Sequence, residues 1–277
     1  MRDRLDHLPK SIAEPIRYSL EGGGKRLRGM LLLSAYRAAG GSSDASGLAA
    51  AVEIIHAYSL VHDDLPCMDD DDVRRGRPTT HRVYGVEPAS LAGTIMIPLA
   101  ARLAYDSGRA LVLPEQQCCM IVKVLAEAAG AGGMIGGQLL DLLAEGSDDE
   151  ITRDDLDAVH SAKTGALISA SLEIGGLAAS ASVDRMKALA AYGSRIGLAF
   201  QIMDDVLDVT SSTDKLGKVA GRDAALGKST YARFLGIDGA TQRANGLVRD
   251  ACGVLSKVDL LTPELEELAE FVVSRAH

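Results

Sequence analysis

Aromatic side chains are scarce in this chain: there is no tryptophan, and the three phenylalanines and seven tyrosines make up 4% of 277 residues. Strands favour aromatic and β-branched residues in alternation, and no alternating run bounded by hairpin turns is found. Cysteine is rarer still. Cys67, Cys118, Cys119 and Cys252 have no C-x-x-C spacing, so neither a zinc site nor a disulfide framework is expected. The adjacent pair Cys118 and Cys119 reads as small apolar residues of a helix. A basic surplus is missing too: the net charge is −9, which excludes a nucleic-acid partner, because no face-wide excess of Lys and Arg exists to neutralise phosphates. The chain opens on charged residues instead of an apolar signal-peptide core. No apolar run reaches the ~20 residues of a membrane span, so no span and a reducing cytoplasm are expected.

Helical periodicity fills the rest. Ala, Leu and Ile recur three or four residues apart over 30–39, 48–62, 91–104, 116–129, 156–174, 183–209 and 265–276. With 47% hydrophobic and 24% charged residues the chain can bury a large core. The expected fold is all-α, one domain over 1–277, with no stretch long or biased enough to be a linker. Loops rich in Gly, Ser and Asp are expected at 40–47, 145–150 and 211–228. The glycines between 132 and 137 read either as loop or as a face for close helix approach.

Acidic residues interrupt two of these apolar helices. Asp63, Asp64 and Asp69 follow the run 54–62; Asp204, Asp205 and Asp208 follow the run 196–203, 141 residues later. Carboxylates this dense repel one another unless a cation neutralises them. Hard, monodentate oxygens suit Mg²⁺, which fills its remaining positions with water and substrate phosphates. Asp204 and Asp208 are i and i+4 and share a helix face, with Gln201 one turn earlier. Pro66 must break the first helix, and a bulge at Leu65 and Pro66 is expected to bring Asp69 back towards Asp63. Asp70, Asp71 and Asp72 read as a solvated acidic turn. An EF-hand is excluded, because Val73 and Arg74 fall at the fifth and sixth positions of a loop starting at Asp69. Two such clusters facing one cavity would hold a diphosphate between metal ions.

Cations come in short groups beside glycines. Lys25, Arg26 and Arg28 follow a Gly triplet and open a helix, where backbone N–H groups and cationic side chains converge on an anion. Arg74, Arg75 and Arg77 follow the first aspartate cluster directly. Lys163, Thr164 and Gly165 interrupt an apolar helix, and Lys218 and Lys228 lie in the glycine-rich loop after the second cluster. One Lys or Arg alone reads as surface charge. Together they suffice for two diphosphates, one bound through metal and one held by Arg and Lys.

These segments resemble the trans-isoprenyl diphosphate synthases (polyprenyl synthetases), and specifically the bacterial farnesyl diphosphate synthase type. The matches are GGGKRLR (22–28), IHAYSLVHDDLPCMDDDDVRRGRPTTH (55–81), GMIGGQLLDL (133–142), KTGALI (163–168), GLAFQIMDDVLD (197–208) and LGKVAGRDAALGKSTY (216–231), in family order and spacing. The resemblance implies antiparallel helices around a deep cavity, as a homodimer, acting on prenyl diphosphates. It implies that Asp63, Asp64, Asp69, Asp204 and Asp208 ligate three Mg²⁺ on the allylic diphosphate, and that Arg74, Lys163, Thr164, Gln201 and Lys218 contact the same substrate. Lys25, Arg28, His56 and Arg75 would hold isopentenyl diphosphate. Ionisation of the allylic C–O bond, helped by Arg74, Lys163 and Lys218 beside the metal, would be followed by attack of the isopentenyl double bond, with the departing diphosphate taking the final proton.

Tyr58 and Ser59 lie below Asp63 on the same helix and point down the cavity that receives the growing chain. In the resembling family an aromatic at Tyr58 goes with a C15 product, so farnesyl diphosphate is expected, with the C20 product as the alternative. The chain departs from the family where LAG is followed by Thr94 instead of Asp, at Pro98 inside the following helix, and at Gly29, where the family has Pro. Two rivals are weighed. A class I terpene cyclase usually carries an Asn/Asp, Ser/Thr and Glu triad in place of Asp204, Asp205 and Asp208. A silent partner subunit typically loses aspartates from one cluster, and this chain keeps both.

Overall fold

A computed structural model of the chain describes residues 5–145, 152–210 and 230–274, and the fold is all-α. Its helices are α1 (Lys10–Leu20), α2 (Leu27–Ala38), α3 (Ser46–Asp63), α4 (Thr80–Tyr84), α5 (Val86–Ala110), α6 (Glu115–Ala129), α7 (Met134–Glu145), α8 (Arg153–His160), α9 (Ala166–Ala178), α10 (Val183–Thr210), α11 (Tyr231–Ser256) and α12 (Pro263–Ser274). One π-helical turn, Ser161–Gly165, joins α8 to α9.

α3 is apolar on nearly every face, with Leu48, Val52, Ile54, Ile55, Tyr58 and Val61 all buried. A helix with no polar face belongs inside, and α2, α5 and α9 pack around it. α10, at 28 residues, is about 42 Å long at 1.5 Å per residue. Its buried stripe Leu189, Tyr192, Ile196, Ala199, Met203 and Val206 steps by three and four residues and meets Ala240, Ala244, Val248, Ala251 and Leu255 of α11. Each large side chain buried there contributes roughly 2 kcal/mol. The Tyr192 hydroxyl donates to the Leu265 carbonyl at 2.7 Å and fixes α12 on the same stripe.

The core is thus built mainly in two large clusters, one around α3, α5 and α6 and one around α10, α11 and α12, with a small third of Val61, Leu65 and Ala89. α2 and α9 divide their side chains between them: Leu32 and Ile174 belong to the first, Leu31 and Leu172 to the second.

Several expectations are corrected in detail. A hairpin does occur, β1 (Val73–Arg74) with β2 (Arg77–Pro78), too short to show an alternating pattern. Its corner, Arg75 and Gly76, has positive φ at both residues (54° and 73°), the geometry of a tight two-residue turn. The helix expected at 156–174 is interrupted where Lys163 and Thr164 stand. The glycine-rich stretch 132–137 enters α7, and a Cβ at Gly137 would overlap the backbone of Lys163; close approach is its role. Only Cys118 of the adjacent cysteines is buried; Cys119 is exposed. The stretch Glu115–Leu143 has the length and apolarity of a membrane span, but the turn between Ala129 and Met134 breaks it into two helices. α1, α4, α7 and α11 were absent from the periodicity. The expected loops at 145–150 and 211–228 lie outside the described residues apart from Glu145, and so do Lys218 and Lys228.

Candidate active site

α3 stops at Asp63 because Pro66 offers no N–H and its ring crowds the preceding turn. The chain then folds back on itself. Met68 and Asp70 both donate N–H to the Leu65 carbonyl, at 2.9 and 3.1 Å, and Asp69 donates to the Asp63 carbonyl at 2.9 Å. The bulge expected from the sequence is therefore present, and it returns Asp69 to Asp63.

Arg74 reaches this turn from the hairpin. Its Nε lies 2.5 Å from Asp64 Oδ1, and its Nη2 lies 3.0 Å from Asp71 Oδ2. Burial works against the Arg74 charge, but Asp64, Asp71 and Asp63 outweigh it and hold the guanidinium protonated. Asp71, read as solvated, is thus part of the site. Burial pushes the Asp63 carboxyl up to about 6, with Asp69 and Asp141 adding to the shift and Lys163 and Arg74 opposing it. Asp64 is likewise pushed up to about 6 by burial, in spite of Arg74. For both carboxylates burial outweighs the cations beside them.

The π-turn delivers Lys163 and Thr164 to the same region. Lys163 Nζ sits 2.6 Å from Asp141 Oδ2 on α7. Thr164 Oγ1 donates to Gln201 Oε1 on α10 at 2.9 Å, joining two residues 37 apart in the chain. Gln138, one turn before Asp141, is buried, and its amide makes no hydrogen bond among the described residues.

On α10 the adjacent aspartates have different surroundings. Asp204 lines a cavity shared with the Gly22–Arg28 segment. Asp205 turns to the helices behind: its Oδ2 accepts the Tyr231 N–H at 2.9 Å and lies 3.4 Å from His160 Nε2. Asp208 is 3% exposed.

The cavity is about 560 Å³ and runs between the Gly22–Arg28 segment, α3, the hairpin corner and α10. Lys25, Arg28, His56 and Arg75, named together from the sequence, all line it, with Arg74 and Asp204 at the same space. Burial lowers the Arg28 pKa to about 10, although Glu53 and Asp204 pull it the other way. Burial also drives His56 well below 6.5, and Arg28, Arg75, Arg74 and Arg26 push in the same direction. His56 is therefore a neutral imidazole among four guanidiniums. Lys25 Nζ stands 4.5 Å over the ring of Phe271.

Two functional-site carboxylates, Glu53 and Asp141, were missed in the sequence. Glu53 accepts the Gly29 N–H at 2.9 Å and lies 3.6 Å from Arg26, so it caps α2 from α3. Its signal was a lone acid in an apolar helix, three residues before His56. Asp141 had the same signal, one turn after Gln138. The cavity, lined by Lys25, Arg26, Arg28, Arg74 and Arg75, has Asp204 as its one candidate metal ligand, while Asp63, Asp64 and Asp69 do not line it; its cations can bind a diphosphate directly.

A family model for polyprenyl synthetase matches residues 9–259. The chain is 44% identical to farnesyl diphosphate synthase of Escherichia coli over 269 residues, 95% of this chain and 89% of that protein. It is 43% identical to the chloroplastic geranylgeranyl pyrophosphate synthase 9 of Arabidopsis thaliana over 245 residues, 88% of this chain and 68% of that protein. Among solved structures it resembles a Helicobacter pylori geranyltransferase complexed with magnesium and isoprenyl diphosphate, with a TM-score of 0.83, 30% identity, and 99% and 92% of the two chains covered.

Proposed function

The chain belongs to the polyprenyl synthetase family as a short-chain trans-prenyl synthase, and from that premise we propose that it extends an allylic diphosphate with isopentenyl diphosphate to farnesyl diphosphate. The observation that carries this reading is the cavity shared by Lys25, Arg28, His56, Arg75 and Asp204. It supports an anion site held by cationic side chains beside Asp204 of α10.

The donor set fits Mg²⁺. Asp63 and Asp64 are carboxylates pushed up to about 6 chiefly by burial, so a cation near them is stabilising. Among the described residues no three His, Cys, Asp or Glu side chains converge on one point, so an ion held there would complete its shell with water and phosphate. Asp63, Asp64, Asp69, Asp204 and Asp208 would hold it, three ions in all with substrate bound. When bound, Mg²⁺ supplies the positive charge that neutralises a leaving diphosphate.

The chain's own residues do the rest. Lys163, Arg74 and Lys218 stabilise the charge that builds on the diphosphate as the allylic C–O bond breaks, with Thr164 and Gln201 positioning it. Lys25, Arg28 and Arg75 clamp the second diphosphate. Neutral His56 donates one N–H to it without adding charge. The isopentenyl double bond is thereby held against the allylic carbon, and no protein nucleophile takes part. Growth stops at C15 because Tyr58, buried five residues before Asp63, fills the space below the reacting end. A C20 product is the second reading, favoured by the identity to the plant synthase. The enzyme is read as a homodimer, in which a second copy covers exposed apolar side chains such as Leu91, Met120, Leu139 and Leu143.

The test is one incubation of the full chain with dimethylallyl diphosphate, isopentenyl diphosphate and Mg²⁺, followed by dephosphorylation and chromatography. Farnesol as the main product is expected. Mainly C20 alcohol rejects the C15 stop, and cyclic hydrocarbon or no condensation rejects the elongation reading.

A further inference from the structure

Tyr58 and His62 are one turn apart on α3, and their rings meet edge to face, with centroids 5.4 Å apart and planes at 89°. His62 is itself held from α5. Its Nε2 lies 3.1 Å from the Ser90 carbonyl, so this nitrogen carries the proton and donates. The ring is seated in a notch that exists only because residue 93 is glycine: a Cβ there would overlap Nε2 and Cδ2 of the imidazole. Thr94, one of the departures from the family pattern, donates its hydroxyl to the same Ser90 carbonyl at 2.9 Å. Thr94 and Pro98 both point outward and are exposed, whereas Gly93 is buried on the face towards α3. The altered segment thus acts on the interior only through its inward face.

A ring that stops a growing chain works only if it cannot swing aside. Tyr58 has two soft torsions, and an edge-to-face partner that is itself fixed removes part of that freedom. We infer that His62, seated by Gly93 and Ser90, is a positioning residue that locks Tyr58 and thereby sets product length without touching substrate. This rests on the reading of Tyr58 as the C15 stop.

The test is the C20:C15 product ratio, with isopentenyl diphosphate in excess, for Tyr58→Ala, His62→Ala, His62→Phe, Gly93→Ala and the double variant His62→Ala/Gly93→Ala. His62→Ala should raise the ratio about fivefold, the scale of losing one edge-to-face ring contact. Gly93→Ala should move it the same way by displacing the imidazole, and should add nothing in the His62→Ala background, where the methyl has room. His62→Phe keeps a ring against Tyr58 and should restore mainly C15. If Tyr58→Ala lengthens the product while His62→Ala and Gly93→Ala leave the ratio unchanged, the brace is overturned and the Tyr58 stop stands. Lower turnover at an unchanged ratio counts as the same result, a structural role only. If Tyr58→Ala does not lengthen the product, the stop itself is overturned and the brace with it.

Discussion

Arg75 Nη2 stands 3.5 Å from His56 Nε2, across a cavity that the hairpin corner and α3 enclose from opposite sides. Arg75 Nη1 donates to the Gly23 carbonyl, so one guanidinium ties the glycine-rich segment to α3. Three of the elements around the cavity are joined by that one side chain, while Lys163 is fixed elsewhere, on Asp141.

The two diphosphate sites should therefore separate in kinetics. Lys25→Ala, Arg28→Ala and Arg75→Ala should each raise KM for isopentenyl diphosphate about tenfold or more, the scale of one charge-assisted hydrogen bond. KM for geranyl diphosphate should change by less than about twofold. Lys163→Ala should show the reverse emphasis, with its loss in the allylic step. Titration of each substrate at saturating concentration of the other checks this, and the opposite partition would show that the site map is inverted.

His56 gives a pH prediction. Its pKa is lowered below 6.5 by burial and by four neighbouring arginines, so as pH falls past the unfolded value the unfolded chain takes up a proton that the folded site refuses. Stability from this group is intact above about 6.5 and declines as pH drops below it. His56→Gln should lessen the fall in Tm between pH 7 and pH 5.5. In the unmutated protein the His56 Hε1 resonance should not titrate between pH 8 and pH 6.5. A full titration step in that window would contradict the neutral imidazole.

Asp205 is expected to behave unlike its neighbour. Its carboxylate is occupied by the Tyr231 N–H and the His160 ring, so Asp205→Ala should lower stability by about 1–3 kcal/mol, the cost of an unsatisfied buried donor. That corresponds to a Tm lower by about 2–4 °C per kcal/mol. Mg²⁺ titration of turnover should leave its half-saturation within about twofold of the parent, whereas Asp204→Ala should shift it by at least about tenfold. Equal metal phenotypes in the two variants would show that Asp205 faces the substrate.

How much of this was legible in the sequence follows from the kind of signal each residue gave. Asp63 and Asp204 stood out because acids in an apolar helix are costly to bury without a partner, and Pro66 announced the bulge that returns Asp69. The same cost applied to Glu53 and Asp141, but a single acid carries no pattern, and their partners, Gly29 N–H and Lys163, lie far off in the chain. The Arg75 and Gly76 corner was hidden because its strands are two residues long. α11 escaped because glycines and polar residues dilute its period, and Gly236 with φ 69° breaks its first turns. Its burial comes from α10, which no local pattern reports. The Tyr58–His62 contact was readable as an i, i+4 pair. The notch at Gly93 that fixes it was not, because it depends on how closely α5 approaches α3.

The central claim, that the ends of α3 and α10 act on one allylic diphosphate, is tested most directly by single-turnover rates of Asp63→Ala and Asp204→Ala with geranyl and isopentenyl diphosphates at saturating Mg²⁺. Each variant should form farnesyl diphosphate roughly 10²-fold more slowly or worse, the scale of losing one electrostatic stabiliser of the transition state, with the helical circular dichroism unchanged. A parent-like rate in either folded variant would contradict the claim for that cluster.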